Sequence, residues 1–106
     1  MGKQMYEIRY LLGAIQDIAE ITRYIAHELC NPSAANKLVA AMLEAADRLA
    51  LFPYINPVHI TSGNVNPEYR KQIVRNYIMF YRVSEEDKKV MIVRIIYAHR
   101  DYDRLL

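Results

Sequence analysis

A chain of 106 residues, 53% hydrophobic and 25% charged, suits one domain with one core and is too apolar for a disordered tail. No apolar run approaches the ~18 residues of a membrane span, residues 1–12 lack a signal-peptide pattern, and the single cysteine, Cys30, excludes an internal disulfide and makes a reducing cytoplasm the expected setting. The net charge of +2 is unevenly shared: five basic against six acidic residues in 1–53, nine against six in 54–106, so the basic second half points to a polyanion or an acidic protein as partner.

Residues 5–10 (MYEIRY) alternate Tyr6, Ile8 and Tyr10 with Met5, Glu7 and Arg9, the pattern of a half-buried strand, which Gly13 is expected to end. Residues 14–29 have helical period. Ile15, Ile18, Thr22, Ile25 and Leu29 fall at steps of three and four, with Ile21 widening the stripe. Asp17 and Glu20 lie near the start of this helix, where its dipole favours acids. Asn31-Pro32 stops it, and Asn31 or Pro32-Ser33 supplies the cap and first-turn residues of the next one.

The second helix carries Leu38, Met42, Ala45, Leu49 and Phe52 as its apolar stripe, and its seven alanines, Ala45 among them, are small enough for close packing. The short link predicts an antiparallel helical hairpin. Pro53 ends it. Residues 53–68 contain Pro53, Pro57, Pro67 and Gly63 and read as a long surface loop. Residues 70–76 (RKQIVRN) read as a strand.

The last part is a hairpin. YIMFYRV from Tyr77, the polar break Ser84-Glu85-Glu86-Asp87, and VMIVRIIY from Val90 give two long strands joined by a tight turn. In the second, Val90, Ile92, Arg94 and Ile96 alternate with Met91, Val93, Ile95 and Tyr97. Both sets are largely apolar, as in a central strand. The predicted fold is therefore α+β in the order β-α-α-β-β-β, an N-terminal helical hairpin packed on one face of a small, mostly antiparallel sheet, as one domain over 1–106.

Three glycines cannot build a phosphate loop, and Cys30, His27, His59 and His99 are too scattered for zinc. No metal site and no cofactor are expected. What remains is a basic and aromatic set: Arg70, Lys71, Arg75, Tyr77, Tyr81, Arg82, Arg94, Tyr97, His99, Arg100 and Tyr102. Tyr77 and Tyr81 share strand parity and read as core aromatics. The others fit phosphate contact and base stacking. In a metal-free ribonuclease, Arg100 and Arg75 would stabilise the phosphate's charge, and His99, Tyr97 or Tyr102 would carry protons. Arg70, Lys71, Arg82, Arg94 and Tyr102 would bind the target.

Asn76-Tyr77-Ile78-Met79-Phe80-Tyr81-Arg82-Val83, followed by Ile95-Ile96-Tyr97-Ala98-His99-Arg100-Asp101, resembles the closing strands of RelE/ParE toxins, the growth-arresting partners of bacterial toxin–antitoxin pairs. Ile18-Ala19-Glu20-Ile21 through Tyr24-Ile25, then Asn31-Pro32-Ser33-Ala34-Ala35 and residues 49–53, resemble that family's helical hairpin. The resemblance implies a cytoplasmic toxin in a hetero-oligomer with a cognate antitoxin. Its target would be DNA gyrase for ParE-like members, or mRNA in the ribosomal A site for RelE-like ones. The RelE pattern has an Arg after the Tyr that opens the penultimate strand, where this chain has Ile78. Arg100 keeps the basic position past the last strand, while the Tyr of the RelE tail has no clear match. ParE-like members often end in His-x-x-Arg-Asp, and here Tyr97 stands for that His. The resemblance thus implies a ParE-like gyrase inhibitor before a ribosome-dependent mRNA endoribonuclease, with an inactive antitoxin-binding remnant as a further reading.

Overall fold

The computed structural model describes residues 5–61, 64–100 and 105–106. Its elements are β1 (Glu7–Tyr10), α1 (Leu12–Arg23), a π-helical turn (Tyr24–Glu28), α2 (Pro32–Leu51), β2 (Val58–Thr61), β3 (Asn64–Val74), β4 (Tyr77–Ser84) and β5 (Lys89–Tyr97). They form a helical hairpin on a five-stranded sheet of order β1-β5-β4-β3-β2. β1 runs parallel to β5, and the other pairings are antiparallel. The α+β architecture is as the sequence predicts, with one strand more.

That extra strand is β2, in the stretch expected to be loop. Val58, Ile60 and Thr61 are β-branched and favour extended backbone. β3 likewise begins well before Arg70. Pro67 lies in the part of β3 where the ladder to β2 is irregular and before the ladder to β4 begins at Arg70, so its missing N–H is tolerated. Arg75 and Asn76 are not strand but the two-residue turn between the paired Val74 and Tyr77.

α1 begins at Leu12, so Gly13 opens the helix instead of ending β1. The buried stripe is also rotated from the expected one. Ala14 and Asp17 are buried, with Ile18, Ile21 and Ile25 packed beside them, whereas Ile15 and Leu29 are exposed. The large residue at 15 faces outward because α1 crosses β5 at a distance only small side chains allow. A Cβ on Gly13 would stand 2.8 Å from Arg94 Cδ and 3.2 Å from the Val93 carbonyl oxygen.

The π turn widens the end of α1. The Leu29 N–H donates to the Tyr24 carbonyl (3.1 Å) and the Asn31 N–H to that of Ile25 (3.1 Å). Cys30 adopts a left-handed φ of 51°, which lets the chain reverse at once. Asn31 then caps α2, its Oδ1 accepting from the Ala34 N–H at 3.1 Å, with Pro32 in the first turn. Leu38, Met42, Ala45 and Leu49 are buried as predicted, but Phe52, past the helix end, is exposed.

Two apolar clusters sandwich the sheet. Under the helices lie Ala14, Leu38, Met42, Leu49, Met79, Tyr81, Val90, Ile92 and Ile95. On the other face Ile78, Phe80 and Ile96 are covered by Tyr69, Ala98, Leu105 and Leu106. A bulge sets which β5 residue goes where. Phe80 pairs with Arg94 but Tyr81 pairs with Ile92, so Val93 is an extra residue. The strict alternation expected along β5 breaks there, and Ile95 joins Val90 and Ile92 under the helices.

Tyr81 is fully buried and its hydroxyl donates to the Pro53 carbonyl at 3.0 Å while accepting from Asn56 Nδ2 at 3.2 Å. Burial pushes the phenols of Tyr10, Tyr77 and Tyr81 above their ordinary value of 10.0, helped at Tyr10 by the charge of Asp47. These phenols are therefore held neutral in the folded chain at a pH where the unfolded chain ionises them. What these phenols contribute to stability is expected to be constant below about pH 10 and to fall as pH rises beyond it. Urea midpoints between about pH 8 and 11 would check the sign.

Candidate target-binding groove

A groove of about 810 Å³ lies between the end of α1, the π turn, the start of α2, the β3–β4 turn and the end of β5. Its wall carries Tyr24, Ile25, Leu29 and Leu38 from the helices, and Tyr77, residues 95–97, Arg75 and Arg100 from the sheet. A π-helical turn at its rim is consistent with a working site, since such turns recur at functional sites.

Arg75 is one of three non-glycine residues with positive φ among those described, at 54° in the two-residue turn. A side chain there costs about 1 kcal/mol against glycine. The Asn76 carbonyl accepts from the Ala98 N–H at 2.9 Å, which ties this turn to the end of β5. Tyr77 and Tyr97 meet edge to face at 5.7 Å, and Tyr97 meets His99 at 5.2 Å. The Arg100 N–H donates to the Tyr97 carbonyl at 3.0 Å, and both residues line the groove. Burial, then the nearby Tyr97 and Tyr24, push the Tyr77 phenol up, so at neutral pH it donates hydrogen bonds and does not act as a base.

The fold thus brings together Arg75, Tyr97, His99 and Arg100, the set predicted to do chemistry. It disperses the set predicted to bind target. Arg70 lies four pairs along β3 from the turn at Arg75 and outside the groove lining, its Nη1 donating to the Asn56 carbonyl at 2.5 Å and its guanidinium 4.9 Å from the Tyr54 ring. Lys71, opposite Phe80, and Arg82, opposite Met91, belong to the face away from the helices. Tyr102 lies outside the described residues.

Arg94 does line the groove, but Asp17 engages it. Arg94 Nε donates to Asp17 Oδ2 at 2.7 Å and Nη2 to Oδ1 at 3.0 Å, and Nη1 donates to the Leu105 carbonyl at 3.1 Å. The carboxylate holds the guanidinium still more firmly protonated than usual. Asp17, Glu20, Tyr24 and Asn76 are groove residues that sequence reasoning did not single out. Asp17 could have been found, because an acid at a core step of α1 and an arginine inside an apolar strand each call for an opposite charge.

A family model of the ParE toxin of type II toxin–antitoxin systems, parDE, matches residues 8–102. The chain belongs to this ParE toxin family. Its fold is shared by a solved chain of the chromosomal ParDE system from P. aeruginosa, at 20% identity and a TM-score of 0.72, covering 91% of this chain and 99% of that one. A chain of the RelBE2 toxin–antitoxin complex from Mycobacterium tuberculosis matches at 18% identity and 0.64, covering 91% and 94%. One of the archaeal RelE–RelB complex from Pyrococcus horikoshii OT3 matches at 15% and 0.62, covering 91% and 98%. No curated protein matches the sequence. At these identities the structural likeness speaks for the fold alone, and the family model speaks for the toxin.

Proposed function

We propose that this ParE-family toxin arrests growth by inhibiting DNA gyrase, and that a cognate antitoxin silences it by covering the groove in a cytoplasmic hetero-oligomer. The observation that carries the choice of target is the place of Ile78. It is 5% exposed in an apolar cluster with Phe80, Ile96, Leu105 and Leu106. The RelE resemblance would need a cation there to meet a phosphate. Here the position is filled by hydrocarbon and closed over by the chain's last two residues. The exposed arginines Arg75 and Arg100 lie instead at the groove, which Tyr24, Tyr77 and Tyr97 also line, a surface suited to an acidic or aromatic patch on a protein. The match to the ParE model supports the same reading.

Ribosome-dependent mRNA cleavage is the second reading. The 5.2 Å contact of Tyr97 with His99, next to Arg100, favours it, since it puts a proton carrier beside a cation. Induced expression with and without the neighbouring reading frame, followed by plasmid-supercoiling and primer-extension assays, separates the two. Arrest with impaired supercoiling and intact mRNA is expected. Cuts at codon boundaries would replace the gyrase reading with the nuclease one, and no arrest would leave an antitoxin-binding remnant.

A further inference from the structure

β1 covers only the first part of the outer edge of β5. Their pairing runs from Glu7 with Lys89 to Tyr10 with Ile92, and the Leu11 N–H donates to the Ile92 carbonyl at 2.9 Å. Beyond this point no described strand lies beside β5 on that side. Asp17 stands there instead. Its Oδ2 accepts from the Ile95 N–H at 2.9 Å and from Arg94 Nε, and its Oδ1 accepts from Arg94 Nη2. Asp17 is 9% exposed and is the one buried charged side chain among the described residues. Gly13, one turn earlier, allows the close approach of α1 that puts the carboxylate within reach.

We infer that Asp17 is a positioning residue for toxicity: its carboxylate takes the place of a missing strand at Ile95 and so sets where Tyr97 and Arg100 stand at the groove. The inference rests on the groove being the working surface proposed above. The chain of contacts is short. Ile95 is two residues from Tyr97, and the Tyr97 carbonyl holds the Arg100 N–H. With the Ile95 N–H unanchored, the end of β5 is held, among the described strands, by its ladder to β4 alone, and a shift of about an ångström at Tyr97 is enough to weaken recognition. Asp17 itself need touch no target.

A merely structural ion pair makes different predictions, because buried pairs are often replaced by apolar residues without loss of stability. Two double variants divide the roles. In Asp17→Leu with Arg94→Leu the charges go as a pair and the Ile95 N–H loses its acceptor. In Asp17→Asn with Arg94→Gln the ion pair also goes, but the amide oxygen can still accept from Ile95. The leucine pair is expected to fold with a somewhat lower denaturation midpoint, because the buried Ile95 N–H goes unpaired, to exchange that amide hydrogen roughly tenfold faster, and to need roughly tenfold more inducer for growth arrest. The asparagine–glutamine pair is expected to restore Ile95 protection and most of the arrest.

A folded leucine pair that arrests growth like wild type overturns the inference. So does an asparagine–glutamine pair with a protected Ile95 amide and no arrest, a result that also decides the matter should the leucine pair not fold. A wild-type chain that arrests nothing would instead sink the proposed function. The positioning claim would then stand or fall on whether the Tyr97 and Arg100 resonances move with Ile95 protection across the variants.

Discussion

Phe80→Ala is expected to lower the unfolding free energy by about 3–5 kcal/mol, a large share of the ~5–15 kcal/mol that holds a domain of this size together. Phe80 is fully buried although it lies on the face away from the helices. Among the described residues its cover includes the His59 ring at 5.7 Å, with Tyr69, Ala98, Leu105 and Leu106 around the same cluster. Removing a fully buried ring leaves a cavity, which adds to the lost transfer free energy. Leu105 and Leu106 would lose the surface they pack on, and the Arg94 bond to the Leu105 carbonyl would have less to secure. Guanidinium denaturation reads both effects, as a lower midpoint and a changed slope. Arg82→Ala, two residues on and exposed, serves as control and is expected to stay within about 0.5 kcal/mol of wild type. Equal midpoints for the two variants would mean that the second cluster contributes nothing to the fold.

Arg75→Gly combined with Arg100→Ala is expected to cut growth arrest by at least roughly a hundredfold, since one charged contact is worth about 1.5–3 kcal/mol and two are lost. Stability should move the other way. Glycine at 75 relieves the left-handed backbone of that turn and is expected to add about 0.5–1 kcal/mol. Arg100 is exposed, so its truncation changes little. A more stable and less toxic protein is the signature of a residue kept for function against local strain. Arrest titrated against inducer, beside a thermal melt, gives both quantities. Unchanged arrest in the stabilised variant would remove the β3–β4 turn and Arg100 from the working surface.

Much of this molecule was legible along the chain because the signals are local. The 3.6-residue spacing of Leu38, Met42, Ala45 and Leu49 specified the buried face of α2, and Asn31-Pro32 specified its start, because capping and periodicity involve neighbours in sequence. The β4–β5 hairpin was readable from its β-branched and aromatic runs and its polar turn. β2 was hidden among prolines, and its pairing with β3 depends on contacts that propensity does not encode.

The candidate site was half legible for the same reason. Tyr97, His99 and Arg100 are consecutive or nearly so, and a sequence motif holds them together whatever the fold does. Arg75 joins them only because β3, β4 and β5 lie side by side and the Asn76 carbonyl bonds Ala98. The basic residues Arg70, Lys71 and Arg82 look equivalent to Arg75 by composition, but strand parity and the length of β3 send them elsewhere.

By itself, then, the sequence determined the α+β class, the helical hairpin, the closing strands and the toxin family, because each is written in spacing or in a contiguous motif. Only the tertiary structure decided three things. It turned Asp17 inward to meet Arg94 and Ile95, with Ile15 outward, because the close approach of α1 to β5 at Gly13 leaves no room for a large side chain. It slipped β5 by one residue at Val93, which moved Ile95 beneath the helices. It buried Ile78 beside Leu105 and Leu106, on the face of the sheet away from the helices. Each depends on residues far apart in the chain meeting at van der Waals or hydrogen-bond distance, a relation that no local pattern contains.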